Sequence, residues 1–123
     1  MKKFNKTTRK KWSWGHCGYY NKIWCDSSWE LAFLVYNCDH NIPTKRNLKG
    51  FSYTFYNKKH KFYPDFIVND TYIEIKGKMS RKDKSKIKQF KLPLIVIGEK
   101  EIQQYLNYVK EKHGDKFFEI LYK

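Results

Sequence analysis

Tyr63-Pro64-Asp65-Phe66-Ile67-Val68-Asn69-Asp70-Thr71-Tyr72-Ile73-Glu74-Ile75-Lys76-Gly77 is the stretch on which the fold turns. Two β-rich runs flank Asn69-Asp70, and both residues tolerate the left-handed backbone of a tight hairpin loop. A two-residue loop there pairs Val68 with Thr71, Ile67 with Tyr72, Phe66 with Ile73 and Asp65 with Glu74. Strand side chains alternate with period two, so Lys76 shares a face with Glu74. The other face carries Pro64, Phe66, Val68, Thr71, Ile73 and Ile75 and is the one to pack on a core. Like charges directly opposite each other destabilise a sheet, and a divalent cation between Asp65 and Glu74 turns that repulsion into attraction. Two acids and a base on one strand face suit phosphodiester chemistry.

Outward from this hairpin, Phe51–Tyr56 and residues 61–68 read as strands joined by a polar turn over 57–60. With 71–76 they make a three-stranded meander, and Pro64 implies an edge or a bulge in its middle strand. Before it, residues 27–40 read as a helix capped by Asp26 or Ser27. Its stripe is Leu31, Leu34, Val35 and Cys38, and Asn41-Ile42-Pro43 ends it. After the meander come a basic helix over 79–91 and a wholly apolar, hence buried, strand over 93–97. A helix over 99–112 is stopped by Gly114, and a final strand is expected over 116–122. The fold class is α/β (α+β), with a central mixed sheet flanked by helices.

The chain has 123 residues, enough for one compact domain, and 41% are hydrophobic. No apolar run is long enough to span a membrane, and the basic start lacks a signal core. Cys17, Cys25 and Cys38 cannot all pair within the chain, which suits a reducing, cytoplasmic setting. Their spacings, with His16 and His40, lack a zinc-binding unit. Twenty-six Lys and Arg against 12 acids leave a net charge of +14, which calls for a polyanionic partner and above all nucleic acid. The cations gather in two places. A basic arm over 1–14 includes Lys10 and Lys11 and runs into Trp12, Trp14 and a loop around Gly15 and Gly18. The segment after the hairpin carries Lys78, Arg81, Lys82 and Lys84, placed to meet phosphates.

The Pro64-Asp65 pair, the Glu74-Ile75-Lys76 triplet and Glu30 on the preceding helix together resemble the PD-(D/E)XK nuclease superfamily. The resemblance covers roughly residues 24–113. The stretch Cys25-Asp26-Ser27-Ser28-Trp29-Glu30-Leu31 is similar to small phage and mobile-element members. The resemblance implies a restriction-endonuclease-like core of αβββαβ order over 15–123. It implies Mg²⁺, with Mn²⁺ as a substitute, held by Asp65, Glu74 and the Ile75 carbonyl. Lys76 then orients the attacking water or stabilises the phosphorane, and Glu30 binds metal directly or through water. Glu30 has a rival role, because Ser27-x-x-Glu30 is a capping box in which its carboxylate would accept from the Ser27 amide. The activity implied is DNA endonuclease. The alternatives are a junction-resolving enzyme acting as a homodimer and a catalytically idle nucleic-acid-binding module.

Overall fold

The computed structural model describes residues 16–123. The basic arm over 1–14, with Lys10 and Lys11, and Gly15 lie outside the described residues. The chain runs β1 (Gly18–Tyr20), β2 (Ile23–Cys25), α1 (Ser28–Asp39), β3 (Lys45–Arg46), β4 (Phe51–Phe55), β5 (Lys58–Phe62), β6 (Phe66–Val68), β7 (Thr71–Ile75), α2 (Arg81–Gln89), β8 (Leu94–Ile97) and α3 (Ile102–His113). A 3₁₀ turn, Phe117–Ile120, follows. The class is mixed α and β. Among the described residues no helix is long and apolar enough to cross a membrane.

The central hairpin forms in the expected register: Phe66 pairs with Ile73, Ile67 with Tyr72 and Val68 with Thr71. Asn69 and Asp70 take φ of 50° and 65°, the left-handed pair that a two-residue loop needs. Two further hairpins use the same device. Asn21-Lys22 joins β1 to β2, and Tyr56-Asn57 joins β4 to β5. The turn expected over 57–60 therefore falls earlier, because Tyr56 accepts φ of 50°, a conformation that no propensity assigns to an aromatic residue. The β1–β2 hairpin stands where a loop around Gly18 was expected.

The expected meander is broken. β6 and β7 belong to a four-stranded sheet of order β3-β6-β7-β8, antiparallel except for the parallel β7–β8 pair, while β4 and β5 form a ladder of their own. Between the Arg46–Phe66 and Phe51–Phe62 pairs one strand carries an extra residue. Pro64, which has no N–H to donate, sits in that break. Asn47 fills the gap. Its side-chain amide donates to the Pro64 and Lys49 carbonyls (2.9 and 2.8 Å), and its backbone N–H donates to the Asp65 carbonyl (3.0 Å).

One face of the sheet packs Phe66, Ile73 and Ile97 against α1 and α3. α1 is buried almost all round, through Leu31, Ala32, Phe33, Leu34 and Val35. That exceeds the single stripe expected, because α3, the β1–β2 hairpin and, through Phe33 on Phe66, the sheet all pack on it. α3 contributes Ile102, Leu106 and Val109 and ends at Gly114, with φ of 87°. On the opposite sheet face, Tyr72, Phe51, Phe62 and Phe90 pack edge to face, tying β4–β5 and α2 to the sheet. Two expectations fail. β8 is an edge strand with Ile95 54% exposed, so its apolar run is not fully buried. The C-terminal segment is the 3₁₀ turn followed by a lone Tyr19–Tyr122 bridge, not a strand.

Candidate active site

Glu74 lies in the middle of the fold, on β7 between β6 and β8, on the same side as Tyr72. Its residue exposure is 6%, and its Oε1 is buried with no hydrogen-bond partner among the described residues. Asp65 precedes β6 directly. Its Oδ2 accepts from the Ile75 N–H at 2.8 Å, so a side chain continues the hairpin ladder where the backbone pairing stops. The adjoining Lys76 N–H donates to the Ile97 carbonyl at 3.0 Å, fixing the end of β7 to β8.

Glu30 enters from the first turn of α1. Ser27 caps that helix, its Oγ accepting from the Glu30 N–H at 3.2 Å. The Glu30 carboxylate closes the reciprocal half one residue earlier than a standard capping box. Its Oε1 accepts from the Asp26 N–H (2.9 Å) and not from Ser27. The same oxygen accepts from the Arg46 guanidinium at 2.5 Å. Glu30 is thus a cap and a member of the acid cluster at once.

The electrostatics tie the three acids together. Burial, then the charges of Glu30 and Glu74, push the Asp65 carboxyl up to about 8. Burial, with Glu30 and Asp83 adding to it, pushes Glu74 up to about 7 in spite of Lys86 and Lys76. Glu30 is also raised, chiefly by burial, with Arg46 opposing. Ionising all three together is costly without a further cation, because buried carboxylates at close range repel one another.

Lys76 is 37% exposed and lies 3.6 Å from Asp83. Asp83 closes a capping box with Ser80 at the start of α2. Burial raises its carboxyl, but the Ser80 amide and hydroxyl and Lys86 outweigh that and leave it lowered overall. Lys86 reaches the other Asp83 oxygen at 3.2 Å with its ammonium over the Phe62 ring. Of the predicted phosphate contacts, Lys78, Lys82 and Lys84 are exposed. Arg81 is exposed too and donates to the Tyr56 hydroxyl at 3.1 Å.

Sequence reasoning missed Arg46, and it read Lys86 as a further phosphate contact and Asp83 as the lone acid of the basic helix, whereas the two pair with each other beside Glu74. Asp83 had a legible signal, since Ser80-x-x-Asp83 is a capping pattern. Arg46 had only its rarity, being one of three arginines in a lysine-rich chain. Its guanidinium also reaches Asp26 at 2.8 Å and lies 4.0 Å from Asp65.

No group of three or more His, Cys, Asp or Glu side chains among the described residues forms a ready-made metal cage. A magnesium site does not require one, since Mg²⁺ is held by one or two carboxylates and keeps several waters. The unpartnered Glu74 Oε1 beside a raised Asp65 is the chemistry such an ion would satisfy. No protein-family model, curated protein or solved structure matches this chain.

Proposed function

We propose that this chain is a Mg²⁺-dependent DNA endonuclease on a PD-(D/E)XK, restriction-endonuclease-like core. The carrying observation is the buried, unpartnered Glu74 Oε1 set among Asp65 and Glu30, on a protein of net charge +14. Excess positive charge speaks for a polyanionic substrate, and buried acids inside a basic protein speak for a cation at its centre. A module that only bound nucleic acid would gain by losing those acids.

Asp65, Glu74 and the Ile75 carbonyl would hold the ion, with Mn²⁺ as a substitute, and Glu30 would act on it through water. The ion would supply a more acidic bound water and charge neutralisation at the phosphate. The chain's own residues do the remainder. The Ile75 N–H orients the Asp65 carboxylate. The Arg46 guanidinium and the Asp26 amide hold Glu30 in place. Lys76, the most exposed cation of the cluster, would stabilise charge developing on the phosphate oxygens. Lys78, Lys82 and Lys84 would touch the DNA backbone on either side of the cut, without reading sequence. Three unpaired thiols suit a reducing, cytoplasmic setting.

The test is incubation of the protein with supercoiled plasmid, linear duplex and a four-way junction, in Mg²⁺ and in chelator. Cleavage only with Mg²⁺ is expected, and the product pattern separates nicking, duplex cutting and resolving by a homodimer. Tight binding with no strand cleaved on any substrate would leave the idle binding module as the reading.

A further inference from the structure

Arg46 is the residue of the cluster that the proposed function does not use chemically, and its placement is specific. β3 is two residues long and is held on β6 by the Arg46–Phe66 and Lys45–Ile67 pairs. From that edge the guanidinium lies 5.3 Å from the Phe66 ring centroid. It spans Asp26 (2.8 Å) and Glu30 (2.5 Å), stands 4.0 Å from Asp65, and is 22% exposed. A planar, permanently charged fork suits such bridging of carboxylates.

Charge counting gives this placement a consequence. The contiguous acids are Asp26, Glu30, Asp65, Glu74 and Asp83. Among the described residues, the cations set against them are Arg46 at one end and Lys76 and Lys86 at the other. With all five ionised, the acids exceed those cations by two, the charge of one divalent ion, and without Arg46 they would exceed them by three, more than one such ion offsets. Glu74 feels Lys86 and Lys76 on one side and the acid Glu30 on the other, and its Oε1 is unpartnered, whereas Glu30 Oε1 is already taken by Arg46 and the Asp26 amide.

We propose that Arg46 occupies the place of a second cation, so that the site takes one divalent ion, between Asp65 and Glu74, and not two. This rests on the reading of the acids as a metal site. Arg46 is accordingly a positioning residue, acting through Glu30 and Asp65.

The experiment is a Mn²⁺ titration of the full chain without DNA, with bound ion counted by calorimetry and by loss of the free-ion electron paramagnetic resonance signal. The wild type is expected to bind one ion. Arg46→Met, which removes the charge and keeps much of the bulk, is expected to bind two. Arg46→Lys, which keeps the charge, is expected to bind one. Should Arg46→Met fail to fold alone, saturating Mn²⁺ is expected to restore a cooperative melt by replacing the missing charge. Two ions in the wild type or in Arg46→Lys, one ion in a folded Arg46→Met, or an Arg46→Met that stays unfolded in saturating Mn²⁺ would each overturn the inference alone. A wild type that binds no ion would overturn the proposed function with it.

Discussion

The row of acids is closed by arginine at one end and by lysines at the other, and the two closures are unlike. Arg46 is held by a strand pairing, an aromatic ring and two carboxylates at hydrogen-bond distance. The lysines share Asp83, which is itself committed to the cap of α2. Lys86 lies over Phe62, while Lys76 is more exposed and farther from its partner than Arg46 is. A guanidinium fork loses little freedom when it bridges two acids, whereas an ammonium on a flexible stem stays free to change partners. The arginine end is therefore architecture, and the lysine end keeps a cation free to change partners. Glu74, whose Oε1 is unpartnered, is coupled electrostatically both to Glu30, the partner of Arg46, and to the lysines.

The largest effects belong to that middle. Asp65→Ala and Glu74→Ala should each reduce plasmid cleavage to background while leaving gel-shift affinity for DNA equal or tighter, because each removes a negative charge. Full activity in Asp65→Ala would break the comparison at its centre. Next comes the lysine end. Lys76→Ala should cost turnover about 100-fold, the scale of one preorganised charge-stabilising donor, with an unchanged melting temperature. Single-turnover cleavage measures it, and wild-type rates would reduce Lys76 to a surface partner of Asp83.

At the arginine end, the expected loss is divided between stability and rate. Glu30→Gln keeps an acceptor for the Asp26 amide but strips Arg46 of a charged partner. It should lower stability by about 2 kcal/mol and also slow cleavage. A variant that melts normally and cuts normally would remove Glu30 from both roles.

A smaller effect is set by pH. Asp65, at about 8, and Glu74, at about 7, lie above their unfolded values. The folded metal-free protein therefore holds protons that the unfolded chain releases. In chelator, stability should fall as pH rises from the ordinary carboxylate range toward 8. Mg²⁺ binds the ionised form, so the gain in melting temperature on adding Mg²⁺ should be near zero at the acidic end and grow with pH. Melting curves across that range decide it, and a pH-independent gain would place the ion elsewhere. The smallest effect per residue is expected on α2 and just before it. Replacing Lys78, Lys82 or Lys84 by Gln should flatten the salt dependence of DNA affinity by nearly one unit for each phosphate left without its cation. Salt-insensitive binding would make these lysines mere solubilising charge.

Much of this was legible along the chain, and what was legible was local. The Asn69-Asp70 loop and the register it imposes on Asp65 and Glu74 depend on the φ preferences of two residues and on the alternation of their neighbours. The Ser27 cap and the Gly114 stop are equally short-range. What escaped was set by partners far away in sequence. Whether Pro64 makes a bulge in one sheet or a break between two depends on Asn47 reaching back to it. Whether Leu94–Ile97 is buried depends on whether another strand adds beyond it, and among the described residues none does. The choice of Arg46 as counter-ion for Glu30 and Asp26 is made across 16 and 20 residues. Dihedral preferences and side-chain period act within a few residues, so they place the acids on a strand and a helix turn. Burial and charge pairing act through space, so only the folded chain brings those acids close enough to raise one another's carboxyl.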